Sequence, residues 1–459
     1  MTHSDLNQRP TLRPYQLEAI ERLDQRVAAG VRRAVLVSAV GSGKTTIASA
    51  VILRAIERGQ RVLFLAHRRE LINQAYQRLL HFGLPASCVG VMMGNDSRRR
   101  PNAPVQVASV DTLRNRSKPV ADVVFTDEAH RATAKSYRNI AACYPDALHL
   151  GLTATPYRAN GKGLSDAYDE LIVVTTPKQL IAEGYLVQPR VFTVPKAKRP
   201  DLRGVRVARG DYSPELLEQA MNRQALVGNI VEHWKQHAEA IRTVVFAVSI
   251  AHSKHIIDRF REAGVPAEHL DGTMGTDERD GILRRLAEGE TQVVSNVMCI
   301  CEGWDLPSVK CAVLARPTKS TGLYLQQVGR IMRPWEDQEA ILLDHGGCVL
   351  EHGLPHDDRD FDIEGKKKRT GKPGEAPVRV CPDCNAVVHL SVRVCPECGC
   401  QLASDRDVPE ESKGTLVEVT EDTLRKPKKK RYSRSIYDEL RDAARKHQPL
   451  DWSTLEHWA

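Results

Sequence analysis

Gly41, Ser42, Gly43, Lys44 and Thr45 sit between the apolar run AVLVS at 34–38 and TTIASAVILRAIERG, whose apolar residues recur at helical spacing. A strand that turns on glycines into the first turn of a helix presents backbone N–H groups to an anion. On this reading Lys44 reaches the β- and γ-phosphates of a triphosphate and the Thr45 hydroxyl helps to hold Mg²⁺. Gly41 and Gly43 let the backbone approach closely, and Ser42 and Thr46 complete the loop. Ser38 stands where the usual pattern has its first glycine. A flexible Gly/Ser turn is the competing reading, and its placement directly after a strand weighs against it. The unit commits the chain to an α/β architecture, because such loops bind ligands at the carboxyl edge of a parallel sheet.

The rest of the chain repeats that alternation twice. RVLFLA (61–66), VQVAS (105–109) and DVVFTD (122–127) read as buried parallel strands, and ELINQAYQRLL reads as a helix ending before Gly83. The pattern restarts near residue 190 with TVVFAV (243–248), a helix through SKHIIDRFREAG, QVVSNV (292–297), CAVLA (311–315), a helix through LYLQQVGRIM and AILLD (340–344). A chain of 459 residues suits two cores of ordinary size plus appendages. The expected organisation is two tandem α/β domains with parallel sheets, at 1–188 and 189–352. A charged Gly/Pro linker at 353–378, a cysteine-rich ribbon at 379–403, a basic polar linker at 404–434 and a helical tail at 435–459 follow.

A formal charge of +8 and a pI near 8.9 lean towards a polyanionic partner, weakly by themselves. No apolar run is long enough to cross a bilayer, and the opening MTHSDLNQRP lacks a secretory core, so the cytoplasm is the expected compartment. There the eleven cysteines should not form disulfides. Cys88, Cys143, Cys299, Cys301, Cys311 and Cys348 read as small buried hydrophobes. The five between 381 and 400 read as metal ligands.

DEAH at 127–130 ends an apolar run and so places two carboxylates at the ligand-binding edge of the sheet. Asp127 can hold Mg²⁺ through its water shell, and Glu128 can orient and deprotonate an attacking water. Acids in a solvated turn are the bland alternative. That alternative loses ground in a chain that also carries a phosphate loop.

With those two elements in place, the order of motifs resembles the superfamily 2 helicases, in the DEAH-type branch with repair and restriction-subunit translocases. The resemblance spans roughly residues 12–335 and implies two RecA-like domains and an ATP-driven nucleic-acid motor. LRPYQ (12–16) resembles the adenine-reading element, which implies that Arg13 and Gln16 contact the base. LAHRREL (65–71) and SVDTL (109–113) resemble motifs that hold the nucleic-acid backbone, which implicates His67, Arg68, Ser109 and Thr112; His130 joins this set. LTATP (152–156) resembles the coupling motif, with Thr153 and Thr155 linking hydrolysis to domain movement. CEGWDLP (301–307) resembles the motif that touches ATP and strand together, through Gly303 and Asp305. QQVGRIMR (326–333) resembles QxxGRxxR, supplying Gln326, Arg330 and Arg333, the two arginines as fingers from one face of a helix end.

CPDC (381–384) and CPEC (395–398) give Cys381, Cys384, Cys395 and Cys398, four thiolates for tetrahedral Zn²⁺, with Cys400 to spare. A redox CxxC pair competes, but it usually opens a thioredoxin-like helix that is absent here. The metal is expected to fold the ribbon locally rather than the motor. Its role stays open between binding nucleic acid, binding a protein and capping the tail; KPKKKR (426–431) could add phosphate contacts. Three functions remain: a DNA helicase or translocase acting alone, a motor subunit of a restriction, recombination or phage-type replication assembly, and a nonenzymatic nucleic-acid-binding scaffold. The expected partner is nucleic acid, DNA ahead of RNA, with protein partners through the ribbon or tail and no membrane.

Overall fold

The computed structural model describes residues 10–158, 161–193, 202, 204–208, 211–221, 224–300, 306–365, 378–389 and 392–402. Gly303, Asp305, the basic stretch 426–431 and the helix expected within 435–459 lie outside the described residues. The first sheet has seven parallel strands: β1 (Arg33–Ser38), β2 (Val62–Ala66), β3 (Val89–Met92), β4 (Val105–Ser109), β5 (Val123–Asp127), β6 (Leu148–Thr153) and β7 (Glu170–Thr175). Their order is β3-β4-β2-β5-β6-β1-β7. Strands β2, β4 and β5 are buried at every position, which is why they read as largely apolar runs. The order makes β5, β6 and β1 neighbours, with Asp127 opposite Leu152 and Val37 opposite Thr153. The segments DEAH, LTATP and GSGKT therefore emerge side by side from one edge.

A second sheet carries six parallel strands. The chain enters it by β8 (Arg190–Thr193), makes a small antiparallel pair, β9 (Val207–Ala208) with β10 (Asp211–Tyr212), and continues through β11 (Thr243–Phe246), β12 (Ala267–Leu270), β13 (Val293–Asn296), β14 (Cys311–Leu314) and β15 (Ile341–Asp344). The sheet order is β12-β13-β11-β14-β15-β8. These are two RecA-like α/β domains, and with the cysteine hairpin they form one compact unit, Met1–Ser404. No helix among the described residues is long and apolar enough to cross a membrane.

Three sequence expectations change here. The helix expected through LYLQQVGRIM stops at Val328, so Arg330 and Arg333 lie in the turns beyond it, not on a helix face. Gly329 ends the helix where the backbone meets the first domain, and a Cβ there would fall 2.4 Å from Cβ of Val40. The charged stretch after residue 352 is not a free linker as far as residue 365. The Tyr157 hydroxyl donates to Asp360 O at 2.9 Å and accepts from Asp362 N at 3.0 Å, and Leu164 N donates to Ile363 O at 2.8 Å. Phe361 and Ile363 pack against a first-domain cluster that includes Val35, Val37 and Leu164, so apolar burial holds the strap despite the charges around it. Of the six scattered cysteines only Cys311 and Cys348 are buried; Cys143 is exposed, Cys88 and Cys299 are half-buried, and Cys301 is outside the described residues.

The ribbon is also more than an appendage. Its strands, β16 (Val378–Val380) and β17 (Val387–His389), pair antiparallel. Ala386 bridges to Phe192 of edge strand β8, and Thr193 N donates to Asn385 O at 3.3 Å. Cys381, Ala386, Val388 and Cys395 share a buried cluster with Phe192 and Trp234 of the second domain, and Arg190 Nε donates to Glu397 at 2.7 Å. An edge strand left bare would invite pairing with another chain, and the ribbon covers this one.

Candidate functional site

The turn after β1 is held by its own hydroxyls. Ser38 Oγ donates to Ser42 Oγ at 2.6 Å, which donates to Ala39 O at 2.6 Å. Ser38 thus does by hydrogen bonding what the missing glycine would do by conformation. Ser42 is fully buried, and its carbonyl accepts from the Tyr15 hydroxyl at 2.6 Å and from Gln16 Nε2 at 3.0 Å. The Gln16 side chain therefore braces the loop. Gly43 has φ +82°, and a Cβ on it would lie 2.7 Å from Gln16 Nε2, so only glycine fits. Gly41 has φ +87° and faces Leu186 and Arg333. The Arg13 guanidinium carbon sits over the Tyr185 ring, 4.1 Å from its centroid, and Tyr15 tilts against the same ring at 5.6 Å. Tyr185 is a residue that sequence reasoning missed.

Helix Lys44–Glu57 starts at Gly43 and carries Lys44, Thr45 and Thr46 into a cavity of about 380 Å³. Asp127 and Glu128 close its floor, and Gln326, Arg330 and Arg333 reach it from the second domain. Burial pushes the Lys44 ammonium down from its ordinary range, while Glu128 and then Asp127 hold it up. Glu128 sits at φ +49°, a left-handed backbone that costs a non-glycine residue on the order of 1–3 kcal/mol. Its amide donates to Asp127 Oδ1 at 3.0 Å, and its Oε2 lies 3.3 Å from His130 Nδ1. Burial first, and Arg78 second, pull the Arg333 guanidinium down to about 10, so it stays charged near neutrality.

Another residue that the sequence did not flag fixes the two arginines. Lys310 is fully buried, and its Nζ donates to Ile331 O at 3.0 Å and Arg333 O at 2.7 Å. One ammonium thus ties down the turn that carries both guanidiniums. Gly329 seats that turn on Val40. We expect Gly329→Ala to overpack the seam, costing about 1–3 kcal/mol, and to lower ATP turnover at least tenfold. Melting temperature and steady-state turnover measure the two effects, and turnover within twofold of the parent would show that the domains do not meet there during the cycle.

The remaining expected residues divide. Thr153 is fully buried and makes a turn with Thr155, its Oγ1 donating to Thr155 O at 2.9 Å. A Cβ on Gly322 in the second domain would lie 2.9 Å from Thr155 Oγ1, so LTATP touches both domains. Arg68 donates to Met298 O at 3.1 Å across the seam, next to the Glu70–Arg279 ion pair at 2.8 Å. Gln326, expected to bind nucleic acid or to couple, lines the same cavity as Lys44 and Arg330. Thr112 Oγ1 accepts from Gly94 N at 3.0 Å, and Ser109 is the buried end of β4; His67 is half-buried on the residue after β2.

Away from this cavity, the Sγ atoms of Cys381, Cys384, Cys395 and Cys398 all lie within 4.8 Å of one another. Cys381 and Cys398, and Cys384 and Cys395, are each 3.6 Å apart. Four thiolates about 2.3 Å from a tetrahedral ion sit roughly 3.8 Å apart, so the set fits a metal ion. Each CxxC is followed by a left-handed residue, Asn385 at φ +60° and Gly399 at φ +74°, which turns the knuckle back over the sulfurs. The Cys400 Sγ instead faces Gln401 O, and the cluster does not include it.

The family described as "Type III restriction enzyme, res subunit" matches residues 9–158, and the "Helicase conserved C-terminal domain" matches 211–334. A 51.5 kDa protein of a Lactococcus phage is 34% identical over 76% of this chain and 74% of its own length. IRC3 of Saccharomyces cerevisiae, named as a candidate ATP-dependent helicase, is 30% identical over 71% of this chain, which spans about half of that protein. A solved fragment of a Vibrio vulnificus protein, assigned as the HsdR subunit of a type I restriction enzyme, has the same fold. Its TM-score is 0.59 at 22% identity, over 80% of this chain and 70% of that one.

Proposed function

The chain belongs to the superfamily 2 helicases, in the branch shared with restriction-enzyme subunits, and from that premise we propose that it is an ATP-driven motor that moves along DNA. The observation that carries this reading is the cavity at the seam. The phosphate loop and the acid pair come from the first domain and the arginine pair from the second, so the site is complete only when the domains meet. The roles follow from position. Lys44 and the loop amides take the β- and γ-phosphates, Thr45 and Asp127 would hold Mg²⁺, and Glu128 orients and deprotonates water. Bound Mg²⁺ would supply charge neutralisation of the phosphate oxygens. Arg330 and Arg333 neutralise charge that develops on the transferred group, and Arg13 with Tyr185 receives the base.

Thr153 and Thr155 relay the state of the site to the second domain through Gly322. His67, Arg68, Ser109, Thr112 and His130 are proposed for the nucleic-acid side or for coupling, as are Gly303 and Asp305 for nucleotide contact. DNA is proposed over RNA because the matching family is named for restriction enzymes, whose substrate is DNA. A second reading, a motor subunit that does not unwind by itself, is favoured by that same description. ATP turnover measured with single-stranded DNA, duplex DNA and RNA at one stated salt concentration tests the first reading, since phosphate contacts make affinity steeply salt-dependent. Stimulation by RNA alone would overturn it; DNA-stimulated turnover without strand separation would select the second.

The cysteine set is proposed to hold one Zn²⁺ per chain. Because the ribbon shares a buried cluster with β8 and Trp234, zinc should stabilise the second domain as well as its own hairpin. Chelation is expected to remove one equivalent and to lower the melting temperature by several degrees. A chelated chain that melts like the parent would return the metal to a purely local role.

A further inference from the structure

Strand β10 begins at Asp211, and the carboxylate there gathers donors from two separate segments. Its Oδ1 accepts from Tyr212 N at 2.9 Å and from Lys319 N at 2.8 Å. Its Oδ2 accepts from Thr318 Oγ1 at 3.0 Å and pairs with the Arg316 guanidinium at 3.4 Å. Bonds to an ionised acceptor are stronger than neutral ones, so the loop after β14 is held firmly. Tyr212, the next residue, packs against the buried cluster of Leu217, Met221 and Val248, and Lys319 Nζ sits 5.6 Å from its ring centroid. The β9–β10 pair is thus seated on the second domain, and Asp211 reaches from that seat to the loop Arg316–Ser320.

That loop is irregular, and Pro317 within it has no N–H to give. It hands the restraint on to the helix that follows. Ser320 N donates to Thr318 Oγ1 at 3.0 Å, and Ser320 Oγ accepts from Leu323 N at 3.3 Å, capping helix Thr321–Val328. The helix sets Gly322 against Thr155 of the first domain, puts Gln326 in the cavity with Lys44, and ends just before the turn that carries Arg330 and Arg333. Lys310 fixes the far end of this stretch, and Asp211 fixes the near end.

We infer that Asp211 is a positioning residue for ATP hydrolysis: by holding the loop Arg316–Ser320, it sets where helix Thr321–Val328 presents Gln326, Arg330 and Arg333 to the nucleotide. The inference rests on reading the cavity as the ATP site. Asp211 is not among the residues that line that cavity, so it acts through the helix. When a site is assembled from two domains, a shift of about 1 Å in one half can cost about a hundredfold in rate. The phosphate loop belongs to the other half and keeps its hold on the triphosphate, so loss of Asp211 strikes turnover and spares affinity.

The full chain is tested as Asp211→Ala, as Thr318→Val and as the double variant, with Lys44→Ala as the reference for binding. Calorimetric titration with a non-hydrolysable ATP analogue gives affinity, and turnover is measured at saturating ATP with single-stranded DNA present. For Asp211→Ala the expected turnover is about ten- to a hundredfold below the parent, with analogue affinity within about threefold. The double variant should lose little more than the larger single loss, because both residues lie on one relay. A merely structural role would not split rate from affinity. Should Asp211→Ala melt low, Asp211→Asn replaces it; an oxygen remains for the two amides but no charge for Arg316, so a smaller loss of the same kind is expected. Parental turnover in a normally melting variant, equal losses of affinity and turnover, or losses that multiply in the double variant overturn the inference. If Lys44→Ala leaves affinity untouched, the cavity is not the ATP site and the proposed function fails with it; if Lys44→Ala weakens binding and Asp211→Ala turns over normally, only the role of Asp211 is lost.

Discussion

Replacing Arg330 or Arg333 by Ala is expected to cost turnover on the order of a thousandfold or more, while ATP affinity changes much less. The expectation comes from where the two side chains end. They leave the second domain on a turn that Lys310 pins by two carbonyls and enter a cavity whose other wall is the phosphate loop. A guanidinium in such a place pairs with phosphate oxygens in forked geometry, and a lysine cannot reproduce that. Were the arginines merely complementing the dipole of helix Thr321–Val328, each would contribute about 0.3–1 kcal/mol to stability and nothing to rate. Nucleotide affinity, nucleic-acid-stimulated turnover and melting temperature separate the two accounts. Variants that melt normally and turn over ATP within a few-fold of the parent would mean that the two domains do not share a catalytic site.

The second large effect is expected at Glu128. Glu128→Gln keeps the side chain's shape and its left-handed backbone but removes the acceptor for a proton, so ATP should still bind while hydrolysis falls about a hundred- to ten-thousandfold, the usual contribution of a positioned base. Lys44→Ala supplies the contrast. It takes away the charge that meets the phosphates, so binding itself should weaken. The pair is checked by measuring nucleotide affinity and single-turnover hydrolysis for each. Near-parental hydrolysis in Glu128→Gln would remove Glu128 as the base and leave Asp127 or a water chain to be sought instead.

Much of this was visible in the sequence where chemistry and periodicity coincide. Strands β4 and β5 are mostly apolar because both faces are covered, and each appears in the sequence within a residue of its observed bounds. Strand β7, ELIVVT, carries the apolar run Leu171–Val174 but sits at the sheet edge with half of its residues only partly buried, and no site motif adjoins it to single it out. Arg330 and Arg333 were legible as a pair by type and spacing, but the helix expected to run to Met332 ends four residues early, at Val328. The helix gives way at Gly329, whose backbone lies against Val40 across the seam, a contact that the spacing of apolar residues does not encode. Lys310 and Tyr185 were out of reach for the same reason. Each is an ordinary residue in an ordinary pattern, and each acquires its place only when distant segments are brought together. The four clustered cysteines were separable from Cys400 by spacing, whereas the docking of their hairpin on β8 depends on an edge strand whose neighbours lie about 200 positions away in sequence.

The strap that returns from the second domain to Tyr157 also sets a limit on how far the motor can swing. Gly353 is fixed to the second domain by the Tyr324 hydroxyl, and Asp360 is fixed to the first by Tyr157. Between them Arg359 gathers the chain by donating to the carbonyls of His352, Leu354 and Asp357. Straightened, seven residues span at most about 25 Å. Opening the seam beyond that reach would require Phe361 and Ile363 to leave their apolar seat, at less than the roughly 1.5–3 kcal/mol of a fully buried side chain for each, since both are half-buried. Any parting of the two domains is thus tethered like a leashed pair: up to that reach the strap can lengthen by giving up the hydrogen bonds of one arginine, and past it only by leaving its apolar seat.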